Sequence, residues 1–152
     1  MELTLINKND IDFVVEALSD PEFYEMARGP EVKLVTHDSI EQEINSVPGA
    51  WWIMWEDGKR IGWVRFTPKN VWVAEFGQVI VDPEYRRKGI GSDVLRLILN
   101  SVGVVFKIII STTTSKNVAA INHLTKMGFE PVEIRPITDS VKRVTFQKRR
   151  SQ

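Results

Sequence analysis

The sequence predicts one α/β (α+β) domain over residues 1–152, with a mixed, mostly antiparallel sheet of six to seven strands flanked by about four helices. Three observations predict it. Apolar residues at helical spacing alternate with short strand-like runs along the whole chain, so helices and strands must share a core. No repeat, low-complexity tract or Pro/Gly-rich linker divides them. The middle of the chain carries a hairpin signal built from bulky residues around Asp57-Gly58. At 152 residues and 43% apolar content, the chain is the size of one domain with a real core.

The elements follow in order. Leu3 and Leu5 alternate with Thr4 and Ile6, which suits a short strand. Asp10 can cap a helix in which Ile11, Val14, Val15 and Leu18 share a face, stopped by Asp20-Pro21. Ser39 followed by Gln42 fits a capping box for a second helix to Val47, ended by Pro48-Gly49. Trp51–Trp55 and Ile61–Phe66 form the hairpin, with bulky residues suited to both faces of a covered sheet. Val71 to Val81 reads as a further strand, and Gly77 within it marks a bulge or close backbone approach. Gly89-Ile90-Gly91-Ser92 opens a helix with Val94, Leu95, Ile98 and Leu99 as its buried stripe, ending near Val102-Gly103. Phe106 to Ile110 is an almost wholly apolar strand. Asn117 to Met127 is a helix with Val118, Ile121, Leu124 and Thr125 or Met127 inward, closed by Gly128. Strands near Val132–Ile134 and Val141–Gln147 complete the chain.

Composition removes several functions. Lys plus Arg and Asp plus Glu both total 20, so no global charge favours nucleic acid or an anionic membrane. The absence of cysteine removes disulfides, thiolate nucleophiles and thiolate metal sites. The start lacks the pattern of a secretory signal, and no apolar run reaches membrane-spanning length. A cytoplasmic protein without metal, monomeric or homodimeric, is expected.

Local charge is more informative. Arg86, Arg87 and Lys88 directly precede Gly89 and Gly91. Two glycines where a loop becomes a helix let backbone N–H groups converge on an anion beside the positive end of the helix dipole. A polyphosphate fits that arrangement; a glycine-containing helix start behind a solvated charge run has the same spacing. A dinucleotide fingerprint fails, because Val94 stands where its third glycine belongs and the Asp82–Lys88 connection is too long. A nucleoside-triphosphatase loop fails because Lys88 precedes Gly89 and no lysine follows Gly91.

Arg86-Arg87-Lys88-Gly89-Ile90-Gly91 resembles the main motif of the GNAT superfamily of acyl-coenzyme-A-dependent N-acetyltransferases: Arg or Gln, two residues, Gly, any residue, Gly or Ala. Asn117, Ala120, Ile121, Lys126, Gly128 and Phe129 resemble the family's second motif, and the likeness in element order covers nearly the whole chain. The resemblance implies transfer of acetyl from acetyl-coenzyme A to an amine acceptor, a small molecule, peptide or protein. It implies that the main-chain N–H groups of Arg87, Lys88, Gly89, Gly91 and Ser92, or most of them, hold the pyrophosphate, that the basic side chains reach the outer phosphates, and that Arg86 and Ile90 belong to the same cofactor-binding turn. Val79, Ile80 and Val81 correspond to the bulged strand that pairs with pantetheine, and the Val79 N–H to the donor that polarises the thioester carbonyl. Asn117 matches a helix-start asparagine that bonds the cofactor arm, and a simple helix cap fits it equally.

Two proton-transfer roles follow. Glu75 aligns with the strand-four glutamate that serves as base in the histone-acetylating branch, and Trp72, Val73 and Phe76 could desolvate it. Many family members place an acidic tyrosine where this chain has Leu124. Tyr85, another side chain or water must then protonate the thiolate, or the step needs little help. His123 and His37 read as surface or packed residues, and a non-catalytic acyl-coenzyme-A-binding sensor or an interaction domain with a purely structural glycine turn is the alternative.

Overall fold

Residues that the sequence marks as β-forming or helical do form those elements, in the computed structural model, which describes residues 1–86, 88–102 and 106–150. Among them are seven strands: β1 Glu2–Leu5, β2 Trp51–Glu56, β3 Lys59–Pro68, β4 Val73–Ile80, β5 Ile108–Thr114, β6 Glu130–Pro136 and β7 Lys142–Arg149. The five α-helices are α1 Ile11–Leu18, α2 Pro21–Arg28, α3 His37–Ser46, α4 Ile90–Val102 and α5 Val118–Lys126. The sheet order is β1-β2-β3-β4-β5-β7-β6. Strand β4 pairs in parallel with β5, whereas β1–β2, β2–β3, β5–β7 and β6–β7 are antiparallel. This is the expected mixed, mostly antiparallel α/β fold, with one helix more than expected.

That extra helix begins at the residues expected to stop its predecessor. Asp20 accepts from the N–H groups of Glu22 and Phe23, and Pro21 occupies the first turn, where its missing N–H costs nothing. One Asp-Pro pair therefore ends α1 and starts α2. The cap of α3 is Thr36, not Ser39; Ser39 sits one turn in and closes a reciprocal box with Thr36. Asp10 does not cap α1 with its side chain. Its carboxylate, 1% exposed, instead accepts from the Asn7 N–H at 2.9 Å and from Arg60 Nε at 2.9 Å. In α5, Leu124 is buried and Met127 follows it inward, but Val118 and Thr125 face solvent.

The described residues group into two compact units, both discontinuous in sequence. The first comprises Met1–Arg65 and Gln78–Ile90. Its core joins Ile11, Val14 and Leu18 of α1 to Ile40 of α3, Trp51 and Ile53 of β2 and Trp63 of β3. Phe13 and Phe23 meet Trp63 edge-on, both with ring centroids 6.2 Å apart. The β2–β3 turn has φ of 54° at Asp57 and 75° at Gly58, the two left-handed residues that a tight hairpin requires.

The second unit comprises Phe66–Gly77 and Gly91–Gln152. Its buried side chains come from Phe66, from Ala74 and Phe76 on β4, Val94, Leu95 and Ile98 on α4, Ile109 on β5, and Val144 and Phe146 on β7. The N–H groups of Lys107 and Ile108 both bond the Trp72 carbonyl, which starts the parallel pairing that runs from Val73↔Ile108 to Glu75↔Ile110. Trp51 and Trp63 are core residues, whereas Trp72 is 52% exposed. Among the described residues, no helix is long and apolar enough to cross a membrane.

Candidate functional site

The basic glycine turn is built from the end of β4 onward. The N–H groups of Val81 and Asp82 both bond the Ile61 carbonyl, at 2.8 and 3.3 Å, and this double donation is the signature of a bulge. The bulge therefore lies at residues 81 and 82. Gly77, expected to mark a bulge or a close backbone approach, has nothing within 4 Å of where a Cβ would point, so no backbone closes on it. The close approach is at Gly62 of β3, where a Cβ would meet the Val79 carbonyl oxygen, Met54 Cε at 2.8 Å and Ile80 Cα at 3.0 Å.

Asp82 next caps a short 3-10 helix, Pro83–Tyr85, by accepting from the Glu84 N–H at 3.0 Å. That bond, followed by the Lys59 ammonium 3.2 Å away, holds the Asp82 carboxyl below its ordinary range. Tyr85, 8% exposed, donates its hydroxyl to Asp57 Oδ2 at 2.7 Å. This bond, with burial, pushes the phenol above its ordinary 10.0. Lys59 and Lys88 place their ammonium groups 5.1 and 5.4 Å from the centre of the Tyr85 ring.

Arg86 differs from the sequence expectation. Its guanidinium turns back onto the strand, with Nε donating to the Ile80 carbonyl at 3.1 Å and Nη2 to the Val81 carbonyl at 3.4 Å. Its own N–H bonds the Pro83 carbonyl. Arg86 thus braces the strand end instead of extending toward an external anion. The Val81 N–H, spent on Ile61, is likewise not a donor for an added strand.

After Lys88 the chain turns directly into the start of α4. Gly89 has φ of 74°, a left-handed value that suits glycine, with nothing within 4 Å of a would-be Cβ. Helix α4 begins at Ile90, so the N–H groups of Ile90, Gly91, Ser92 and Asp93 have no acceptor within the helix. Arg87, the other cation of the run, lies outside the described residues.

Glu75, Asn117, His123 and Leu124 lie in the second unit, and His37 in the first. Glu75 alternates with buried Ala74 and Phe76, so its side chain takes the opposite face, where its carboxylate meets Lys69 Nζ at 3.4 Å. Phe76 points to the other face of the strand. Asn117 caps α5 by accepting from the Ala120 N–H at 3.1 Å. Leu124 is 5% exposed. His123 is half-buried, and burial, then Lys126, lowers its pKa from the usual 6.5. His37 sits at the start of α3 with Nδ1 3.6 Å from Glu41. Val79, Ile80, Tyr85, Arg86, Lys88 and Gly89 belong to the first unit with Asp57 and Lys59, two residues that sequence reasoning overlooked. No sequence spacing links them to the turn.

Comparison with known proteins agrees with this fold. The profile of the Acetyltransferase (GNAT) family matches residues 15–129. No curated protein shows significant sequence similarity to the chain. Among solved structures, the ribosomal-protein-alanine N-acetyltransferase of Brucella melitensis matches with a TM-score of 0.77 at 16% identity, covering 98% of this chain and 99% of its own. yncA from Salmonella typhimurium, solved with its cofactor acetyl-CoA, matches at 0.73 and 14% identity, covering 100% and 95%. The aminoglycoside acetyltransferase AAC(6')-Ib, solved with ribostamycin and coenzyme A, matches at 0.74 and 21% identity, covering 97% and 92%. At such identities the likenesses show the fold.

Proposed function

The chain belongs to the GNAT acetyltransferase family, and from that premise we propose that it transfers an acetyl group from acetyl-coenzyme A to a primary amine by direct attack in a ternary complex. The observation that carries the reading is the left-handed Gly89, with open space beside it, immediately before the first-turn N–H groups of α4, which have no acceptor within the helix. A diphosphate fits that cradle, and a side chain at residue 89 would intrude on it. Lys88 adds a cation, and the complexes of yncA with acetyl-CoA and of AAC(6')-Ib with coenzyme A support the cofactor class.

When bound, acetyl-coenzyme A supplies an activated thioester. Val79 is assigned the main-chain N–H that polarises its carbonyl oxygen, and Ile80 the strand end alongside the pantetheine arm. Glu75 is assigned the base that takes a proton from the incoming ammonium, so that a neutral nitrogen can attack. Asn117, which already caps α5, is assigned a contact to the cofactor arm. The Tyr85 proton points to Asp57, so the departing thiolate takes its proton from water or leaves unassisted, as a good leaving group can near neutral pH.

A second reading has its own support. Leu124 is buried where many family members carry tyrosine, which favours a domain that binds acyl-coenzyme A without turnover. Thiol release from acetyl-coenzyme A, measured across amino acids, polyamines, aminoglycosides and peptide amines, separates the two. Release dependent on one amine class supports the transferase. Saturable calorimetric binding of coenzyme A without release across the panel supports the binder, and no saturable heat overturns both.

A further inference from the structure

We propose that the tip of the β2–β3 hairpin, through Asp57 and Lys59, is a positioning element that holds the phosphate-binding turn in its receptive form. The inference rests on reading that turn as the coenzyme site.

The stretch from Asp82 to Gly89 is a long connection that ends in a left-handed glycine. Left to itself, such a segment samples many conformations, and ordering it on binding would subtract from affinity. Four contacts within the first unit remove that freedom. The Ile61 carbonyl takes the N–H groups of Val81 and Asp82. Lys59 Nζ meets Asp82 Oδ2 at 3.2 Å. Asp57 Oδ2 receives the Tyr85 hydroxyl at 2.7 Å. Arg86 clasps the carbonyls of Ile80 and Val81. All four act on residues just before Lys88 and Gly89, and three reach them from β3 or its turn.

The contacts are unequal. Lys59 and Asp82 side chains are 50% and 26% exposed, so their ion pair is screened and contributes little. The Tyr85 bond is charge-assisted and sits on a residue only 8% exposed, so it dominates. Asp57 reaches it because the tight turn puts that residue at φ 54°, a conformation that aspartate and asparagine tolerate. The hairpin turn residue therefore has two tasks: it makes the hairpin, and it anchors the phosphate turn.

The test measures coenzyme A affinity, kinetics and amide exchange in Tyr85→Phe, Asp57→Ala, Asp57→Asn, Lys59→Met and the Tyr85→Phe/Asp57→Ala double variant. Tyr85→Phe and Asp57→Ala each weaken binding by roughly 3- to 10-fold, the share of one charged hydrogen bond that reaches the ligand. Lys59→Met weakens it by less than about 3-fold. The double variant is no worse than the poorer single one, and Asp57→Asn, which keeps an acceptor oxygen and the turn, recovers most of the loss. In Asp57→Ala the KM for acetyl-coenzyme A rises while kcat changes by less than about 2-fold, a split that general destabilisation does not produce.

Amide exchange at Gly89–Ser92 of the free protein accelerates in Tyr85→Phe, with circular dichroism confirming the fold. Unchanged affinity and unchanged exchange in Tyr85→Phe overturn the proposal, as does loss of kcat without loss of affinity, which would return Tyr85 to acid catalysis. If the parent protein gives no saturable binding, the coenzyme reading fails by itself, and the exchange data still decide whether the hairpin orders the turn.

Discussion

Gly62→Ala is expected to damage both stability and activity, although it adds one methyl group to a strand. That methyl would sit 3.0 Å from Ile80 Cα and 2.8 Å from Met54 Cε, with the Val79 carbonyl oxygen also in its way. Carbon atoms rest about 3.5 Å apart or more, and the Val79 oxygen is the nearest obstacle of the three, so β3 and the end of β4 must separate by on the order of an ångström. Met54 is fully buried and cannot simply swing aside. Overpacking of this kind costs about 1–3 kcal/mol, and backbone obstacles put it near the upper end. The smaller conformational entropy of alanine in the unfolded chain returns only about 0.4–1 kcal/mol. The clash wins, with a net loss of roughly 2 kcal/mol, or a Tm lower by roughly 4–8 °C for a chain this size. Because the displaced residues include Val79, kcat should fall by about 10-fold as the proposed carbonyl-polarising N–H moves. Thermal and urea unfolding with steady-state kinetics measure both. Gly77→Ala is the control: with nothing within 4 Å of its Cβ it should be neutral or slightly stabilising. Parent-like stability in Gly62→Ala, or greater damage in Gly77→Ala, would refute the reasoning.

Other perturbations test separate parts. Asp10→Ala removes a 1%-exposed carboxylate and takes the acceptor from the Asn7 N–H and from Arg60 Nε, so urea unfolding should show a loss of about 1–3 kcal/mol. His123 has a folded pKa below 6.5, because burial and then Lys126 oppose its charge. Its contribution is therefore complete above 6.5 and is lost as pH falls through the folded pKa, so His123→Gln should flatten the decline in stability that sets in below 6.5. An unchanged pH–stability curve would remove that residue from the acid response. Glu75→Gln should lower kcat by about 100-fold while leaving coenzyme A affinity within about 2-fold; equal turnover across the pH range would exclude Glu75 as base.

Local signals carried most of the fold. Asp57-Gly58 demands positive φ at both residues, and the hairpin formed where that demand was readable. The interior of α4 was legible because Val94, Leu95 and Ile98 repeat at helical spacing. Signals with two local meanings were less decisive. Asp20-Pro21 stops a helix and also starts one, and Thr36 and Ser39 are both acceptable caps. Asp10 illustrates a tertiary override: its expected capping bond yields to Arg60, fifty positions away in sequence. Gly62 and Gly77 look alike in a strand, and only the approach of Val79 and Ile80 distinguishes them. The candidate site divides the same way. Gly89 and the start of α4 follow from adjacent letters, whereas the reversal of Arg86 and the Asp57–Tyr85 bond depend on where β3 and its turn lie.

Backbone amide chemical shifts recorded during a coenzyme A titration address the central assignment most directly. Saturable perturbations concentrated on Lys88 through Ser92, and absent with a thiol lacking the diphosphate, are the predicted result. Shifts confined to other parts of the chain, or none at all, would contradict it.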